Sequence, residues 1–92
     1  MKINLDDKAQ QWFQEELALS DDMAIKFYPR YGGDLQLKQG IGIAFTVEHL
    51  PADSYHETVG GLTYFVDSKD TWYFEDDTLN VTVDNDEIIY SK

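Results

Sequence analysis

Two histidines lie in a segment of the sequence that is rich in carboxylates. His49 and His56 are the only histidines, and Glu48, Asp53 and Glu57 lie close to them in the chain. Two imidazoles and a carboxylate form a ligand set that can hold a divalent metal ion. The alternative is that both are solvated side chains of a surface loop, because their spacing matches no established metal-binding motif. The sequence therefore offers His49 and His56 as candidate metal ligands, with this alternative open.

A second candidate site lies in the turn-rich segment 29–34, which contains Arg30, the only arginine in the sequence. Tyr31, Gly32 and Gly33 follow it, and the backbone amides of the two glycines could approach a ligand closely. A guanidinium binds carboxylates through paired hydrogen bonds, so the segment suits a small anion or a carboxylate-bearing peptide. The alternative is structural, with the glycines at positive-φ turn positions and Arg30 paired with a nearby carboxylate. We predict Arg30, Tyr31, Gly32 and Gly33 as ligand- or partner-binding residues.

The remaining reactive residues do not form a recognisable catalytic arrangement. The four serines lack the context of a nucleophile elbow, and the sequence has no phosphate-binding glycine loop. The eighteen acidic residues allow many carboxylate pairs but single out none for acid–base chemistry. Residues 84–87 lack the glycine and the distal glutamate of a calcium-binding loop, so they are predicted as a hairpin turn. We therefore expect a protein that is not an enzyme.

The composition excludes several classes of function. Cysteine is absent, which rules out disulfides, thiolate zinc sites, cysteine-bound iron–sulfur clusters and thiol nucleophiles. Seven basic residues against eighteen acidic ones give a net charge of −11, and the basic residues are scattered singly. Such a field repels phosphate backbones and anionic membrane surfaces. We therefore expect neither a nucleic acid nor a membrane as a partner.

The chain shows no feature of a secreted or membrane-spanning protein. No apolar run approaches the roughly 20 residues of a membrane span, and the N-terminal segment lacks the apolar core of a signal peptide. Together with the absence of cysteine, this predicts a cytoplasmic protein. The 92 residues, of which 42% are hydrophobic, are sufficient for a single domain over residues 1–92.

An amphipathic pattern near the N-terminus predicts a helix. Its apolar face is formed by four residues at helical spacing, Ala9, Trp12, Phe13 and Leu17. An aspartate at position 6 or 7 is well placed to cap the first turn, and we expect the helix to run from about residue 6 to about residue 19. The preceding residues 2–5 alternate in polarity and are predicted as a short edge strand.

Most of the remaining chain has the alternation of β-strands. Two such runs flank the Arg30 turn, one containing Ile25 and Phe27 and the other containing Ile41, Ile43, Phe45 and Val47. Residues 62–66 predict a third strand, and residues 79–90 predict a terminal hairpin with its turn at 84–86. Residues 48–60 are predicted as an irregular loop. Residues 68–75 fit either a strand or a short helix capped by Asp67 or Ser68 that buries Trp72 and Phe74.

With its elements in this order, the chain resembles the HesB-like family of A-type iron–sulfur scaffold proteins. The resemblance extends over nearly the whole chain. Its most characteristic segments are residues 30–33, Arg-Tyr-Gly-Gly, and residues 61–67, Gly-Leu-Thr-Tyr-Phe-Val-Asp. The resemblance implies an α+β fold that is mostly antiparallel β with one N-terminal helix, and a family role in iron–sulfur cluster biosynthesis.

The chain departs from this family in its ligands. Scaffold members carry one cysteine just after the glycine of the first turn, a position that falls on or beside Gly33 here, and a Cys-x-Cys near the C-terminus. Without thiolates the chain lacks the ligands of such a cluster, and we expect no cofactor. We therefore expect a cysteine-less HesB-like protein, a non-catalytic binding or adaptor protein with an unidentified protein partner. The alternative is a metal-handling protein that uses His49, His56 and carboxylates.

Overall fold

Strands make up most of the fold. The computed structural model describes residues 1–17, 19, 22–30, 42–74 and 77–91. In this part of the chain the order of elements is β1 (Lys2–Leu5), α1 (Asp7–Glu16), β2 (Met23–Arg30), β3 (Gly42–His49), β4 (Tyr55–Val59), β5 (Leu62–Val66), α2 (Thr71–Phe74), β6 (Thr78–Asp84) and β7 (Glu87–Ser91). Neither helix of the described residues is long and apolar enough to cross a membrane. The protein is therefore α+β with a large excess of strand.

Helix α1 begins at the predicted position and ends early. The carboxylate of Asp6 accepts a hydrogen bond from the Ala9 backbone N–H at 2.8 Å, which satisfies one of the free donors of the first turn. The predicted end near residue 19 is wrong, because Leu17 already has extended backbone angles of −119° and 120°. Leu17 and Leu19 both pack against the core. The extended backbone at Leu17 shows that the helical spacing of the apolar residues does not continue past Glu16.

The strands form two sheets, and both are mixed. The first sheet has the order β1–β6–β7 and the second has the order β3–β2–β5–β4. Strand β1 pairs parallel with β6, and β2 pairs parallel with β5, whereas the other three pairings are antiparallel. The expectation of a mostly antiparallel fold is corrected to this mixed arrangement. Alternation along a strand specifies which face is buried but not the direction of the neighbouring strand.

Strand β4 lies within a segment that was predicted as irregular. Residues 55–59 pair antiparallel with β5 through a tight turn at Gly60 and Gly61, whose φ angles are 60° and 86°. Two successive positive φ angles are typical of a type I′ hairpin turn, and glycine adopts them without steric cost. The strand was missed because Glu57 occupies an inward position and interrupts the apolar alternation.

The segment after β5 is helical. Asp67 caps a 3₁₀ turn, Ser68–Asp70, by accepting a hydrogen bond from the Lys69 backbone N–H at 3.4 Å, and α2 follows directly. Phe74 is buried as the helical alternative predicted, but Trp72 is 55% exposed. The predicted terminal hairpin is confirmed as β6 and β7. Its turn residues Asn85 and Asp86 have φ angles of 51° and 64°.

Helix α1 and the two sheets enclose one hydrophobic core. The buried cluster consists of Ile3, Leu5, Ala9, Phe13, Ile25, Phe27, Tyr64, Val66, Phe74, Leu79 and Val81. Buried side chains of this cluster come from β1, α1, β2, β5, α2 and β6. The aromatic members come mainly from α1 and the second sheet, so the helix is fixed to that sheet by ring contacts.

Two buried tyrosine hydroxyls of the core have no hydrogen-bond partner among the described residues. They belong to Tyr64 and Tyr90, whose rings both lie 5.9 Å from the ring of Phe27. Burial raises the pKa of Tyr64 to about 12. Burial also raises the pKa of Tyr90, with a further contribution from Tyr28. A phenolate in either position would lose its hydration, so the neutral form is favoured.

Replacing Tyr64 with phenylalanine is expected to maintain or increase stability at pH 7, because it removes an unsatisfied buried hydroxyl. The difference should grow in alkali. Folding raises the pKa of Tyr64 from 10.0 to about 12. Ionisation of this residue therefore does not affect the stability of the wild type below pH 10, and it lowers that stability as the pH rises from 10 to 12. This loss amounts to about 2–3 kcal/mol.

Urea unfolding of the wild type and Tyr64→Phe at a series of pH values measures this difference. The stability of the wild type should fall more steeply than that of Tyr64→Phe above pH 10. Parallel pH profiles for the two proteins would show that the Tyr64 hydroxyl is hydrated in the folded state.

Candidate functional site

Strand β2 has a core face and an outer face. Ile25 and Phe27 point into the core, and the residues that alternate with them lie on the opposite face of the sheet. These residues are the buried Ala24 and three others, Lys26, Tyr28 and Arg30, which we call the basic row. They bring two of the seven basic residues of an acidic chain onto one strand, with an aromatic ring between them. The basic row is therefore a local exception to the negative surface.

Lys26 is the partly buried end of the basic row. Its side chain is 13% exposed, and its Nζ forms an ion pair with Oε2 of Glu48 on β3 at 3.1 Å. The same Nζ lies 5.5 Å from the centroid of the Tyr28 ring, within the range of a cation–π interaction. Lys26 is therefore neutralised by Glu48 and holds Tyr28 in position. It is poorly available to an external anion.

Arg30 is the exposed end of the basic row. It is the last residue of β2 and is in register with Gly42 of β3. Within the described part of the chain, no carboxylate lies in ion-pair distance of its guanidinium. Gly42 has no side chain, so among the described residues the cross-strand partner of Arg30 leaves the space beside it open. The guanidinium is thus available to bind a carboxylate with two parallel hydrogen bonds.

The other residues predicted for this site are Tyr31, Gly32 and Gly33, and they lie outside the described residues. Ile41, predicted as part of the following strand, also lies outside them. The aromatic residue that the structure does place beside Arg30 along the strand is Tyr28, which is half-buried. The candidate site is therefore built from the basic row alone.

The two histidines of the predicted metal site lie on opposite edges of the second sheet. His49 ends β3 and His56 belongs to β4, with β2 and β5 between these strands. Three strand spacings correspond to about 14 Å. In residues 1–17, 19, 22–30, 42–74 and 77–91, no group of three or more histidine, aspartate or glutamate side chains could hold a metal ion. The structure does not bring the two imidazoles together.

Each histidine has a surface environment of its own. His49 Nδ1 lies 3.5 Å from Oδ2 of Asp22 and 3.3 Å from the Asp22 carbonyl oxygen, and both side chains are largely exposed. An exposed pair of this kind contributes little to stability. His56 is exposed on the outer face of β4, in register with the buried Phe65 of β5. These environments fit the alternative of solvated histidines.

Glu57 joins the two sheets, a role that was not predicted. Its Oε2 accepts hydrogen bonds from the Ile3 backbone N–H at 2.7 Å and from the Tyr55 hydroxyl at 2.5 Å. Strands β1 and β4 are edges of different sheets. The Glu57 carboxylate therefore accepts the hydrogen bond of the Ile3 N–H, a backbone donor on the edge of β1 that is not paired with a neighbouring strand. Burial, the hydrogen bond to Glu57 and its negative charge together raise the pKa of Tyr55 to about 12. The available signal was the inward position of Glu57 in the alternating run 55–59.

The described residues form a small α+β protein with two mixed sheets, and the basic row places the exposed cationic side chain of Arg30 at the end of β2. No family model matches the chain. An uncharacterised protein of Staphylococcus haemolyticus is 46% identical to it over 99 aligned positions, which cover 100% of the chain and 98% of that protein. Uncharacterised proteins of Staphylococcus aureus and Staphylococcus epidermidis are 44% and 42% identical, again over 100% of the chain and 99% of each relative. The chain belongs to the same family as these staphylococcal proteins.

Proposed function

We propose that the chain is a non-catalytic binding or adaptor protein of HesB-like descent that binds a carboxylate-bearing segment of a protein partner at the basic row. The observation that carries the proposal is the exposed guanidinium of Arg30, which has no carboxylate within ion-pair distance in the described residues. Lys26 and Tyr28 beside it are already positioned by their own contacts. A preorganised site of this kind costs less conformational entropy on binding than three free side chains would.

A peptide carboxylate suits the geometry of the basic row. An aspartate, a glutamate or a C-terminal carboxylate can take two hydrogen bonds from Arg30, and the adjoining apolar part of the peptide can lie on the Tyr28 ring. In the described part of the chain, β3 beside the row is an edge strand of the second sheet, and such an edge can accept an extended peptide. The combination favours a segment of protein over a free inorganic anion.

The order of the elements supports the HesB-like part of the proposal. The edge strand, the helix capped by Asp6, the glycine-led β5, the short helical aromatic segment and the terminal hairpin occur in the order that the resemblance implies. Strand β4 is additional to the elements predicted from the sequence. Since the chain has no cysteine, we propose a role that needs no iron–sulfur cluster. Descent from a scaffold family would then retain the protein surface and not the ligand set.

We further propose that the protein acts in the cytoplasm and that its partner is not a nucleic acid. The absence of cysteine fits a reducing compartment, and a net charge of −11 opposes binding to a phosphate backbone. A metal-handling role through both histidines has weaker support, because His49 and His56 lie on strands at opposite edges of a sheet.

Replacing Arg30 with glutamine tests the proposal directly. The probes are fluorescein-labelled octapeptides that contain either glutamates or glutamines at the same positions, each with a free or an amidated C-terminus. Fluorescence anisotropy gives their Kd values. Loss of a charged hydrogen-bonded pair is expected to weaken binding of the acidic peptides by about 10- to 100-fold.

Lys69→Gln is the matched control, because it removes the same charge from an exposed residue on the 3₁₀ turn. It is expected to bind the acidic peptides as the wild type does. Equal weakening in Arg30→Gln and Lys69→Gln would show that only net charge matters. A wild type that does not distinguish the glutamate peptides from the glutamine peptides would refute the carboxylate site.

A further inference from the structure

Strand β7 is an open edge of the first sheet. In the order β1–β6–β7, the described residues place no strand on the outer side of β7. The other edge of this sheet is already occupied, since the Glu57 carboxylate of β4 meets the Ile3 N–H of β1. At the centre of β7, the side chain of Ile89 is 43% exposed. An open backbone edge with an exposed apolar side chain at its centre is a template for strand pairing.

The backbone groups of Ile88 and Tyr90 point toward this open edge. In a hairpin with a two-residue turn, the closing pair is hydrogen-bonded, and hydrogen-bonded and non-hydrogen-bonded pairs alternate from there. This assignment of hydrogen-bonded and non-hydrogen-bonded pairs is supported independently by Val81 of β6, the partner of Tyr90. Its carbonyl accepts a hydrogen bond from the Asp6 N–H at 3.3 Å, on the side away from β7. Ile88 and Tyr90 therefore each direct one N–H and one C=O away from β6.

An antiparallel second copy of β7 could use these groups in three registers, which differ in what lies opposite Ile89. When Ile88 pairs with Tyr90 of the second copy, Ile89 lies opposite its own counterpart in a non-hydrogen-bonded pair, where side chains approach most closely. Glu87 then lies opposite Ser91, so no like charges oppose each other. A shift of two residues in one direction places Ile89 opposite Glu87 of the second copy. A shift of two residues in the other direction places it opposite Ser91. Only the centred register gives both copies of Ile89 an apolar neighbour.

We propose that β7 pairs antiparallel with β7 of a second copy of this chain, centred on Ile89. The two three-stranded sheets then become one continuous sheet, with a two-fold axis through the Ile89 pair. About four backbone hydrogen bonds and one apolar cross-strand contact hold the copies together. This surface belongs to the first sheet and the basic row to the second. The dimer is therefore independent of the proposed binding function.

The net charge determines how this association responds to salt. Each copy carries a net charge of −11, so two copies repel each other at low ionic strength. Raising NaCl from about 20 mM to about 0.5 M screens the repulsion and is expected to increase the dimer fraction. Sedimentation equilibrium over a series of protein concentrations measures this fraction. A wild type that stays monomeric at every concentration in the higher salt would overturn the proposal.

Charge substitutions at Ile89 test the register. Ile89→Lys and Ile89→Glu each place like charges across the two-fold axis, and each is expected to raise the Kd of the dimer at least roughly tenfold. A mixture of the two variants sets lysine opposite glutamate and is expected to recover association. Leu50→Lys is the matched control, because Leu50 is 39% exposed and follows β3. If the mixture stays monomeric, or Leu50→Lys weakens the dimer equally, the inference fails.

The absence of cysteine permits a direct geometric test. Residues opposite each other in a non-hydrogen-bonded pair have Cα atoms about 4.5 Å apart, within the span of a disulfide. Ile89→Cys is expected to form a covalent dimer under mild oxidation at least about tenfold faster than Leu50→Cys. Equal rates for the two variants would contradict the register. Circular dichroism verifies that each variant is folded, which the exposed positions of Ile89 and Leu50 favour.

Discussion

Replacing Phe13 with alanine is expected to lower the free energy of unfolding by about 3–5 kcal/mol. Phe13 is fully buried, and four aromatic rings lie edge-on to it. The ring-centroid distances are 5.1 Å to Trp12, 5.2 Å to Phe45, 5.6 Å to Tyr64 and 6.1 Å to Phe27. These rings come from α1, β2, β3 and β5, so the substitution opens a cavity where the helix meets the second sheet. A domain of this size has a total stability of about 5–15 kcal/mol, and the loss would be a large part of it.

Urea unfolding followed by circular dichroism measures this loss, because tryptophan fluorescence would also report the changed contact between Trp12 and residue 13. Trp72→Ala is the control, since it removes an aromatic ring that is 55% exposed. Its expected cost is below about 1 kcal/mol. Phe13→Leu retains most of the apolar volume and should fall between the two. Similar losses in Phe13→Ala and Trp72→Ala would mean that the core is not organised around Phe13.

Replacing Glu57 with alanine is expected to cost about 2–4 kcal/mol, the second large effect. The substitution leaves the Ile3 N–H and the Tyr55 hydroxyl without their shared acceptor. Both donors are partly buried, so water replaces the carboxylate only in part. The contact also links β1 to β4, and its loss should loosen the first sheet from the second. Glu57→Gln keeps an acceptor oxygen but not the charge, and its expected cost is about half as large.

Three measurements separate this role from a general loss of stability. Hydrogen exchange of the Ile3 amide should accelerate more in Glu57→Ala than exchange of amides in the β6–β7 hairpin. The pKa of Tyr55, raised to about 12 by burial and by Glu57, should fall partway toward 10 in an absorbance titration. A double-mutant cycle with Tyr55→Phe should give a coupling energy of about 1 kcal/mol or more. Additive effects in that cycle would show that Tyr55 and Glu57 do not stabilise the fold through their mutual hydrogen bond.

Strongly periodic elements of this fold could be predicted from the sequence, and their partners could not. The face of α1 that carries Ala9 and Phe13 and the two strands of the terminal hairpin follow directly from apolar spacing. The parallel pairings of β1 with β6 and of β2 with β5 do not, because each strand's pattern describes only its own faces. The end of α1 was misjudged for a related reason, since Leu17 satisfies a helical and an extended pattern equally well.

The candidate site was predictable only where side-chain chemistry is local. Alternation places Lys26 and Tyr28 on one face, but Arg30 was assigned to the turn, whereas the structure places it in β2 on that same face. The ion pair between Lys26 and Glu48 depends on the register of two strands, which no single run of sequence specifies. The same limit applies to His49 and His56. They are close in the chain, but the topology places their strands at opposite edges of a sheet.

Strand β1 pairs with a strand that is made much later during synthesis. Asn4 of β1 and Asn80 of β6 share a side-chain hydrogen bond of 3.0 Å across a separation of 76 positions. Ribosomes add about 5–20 residues per second, so roughly 4–15 s pass between the synthesis of the two strands. Until then Ile3 and Leu5 have no partner strand in the first sheet. The first sheet can therefore close only after β6 has been made, whereas every strand of the second sheet precedes β6 in the chain.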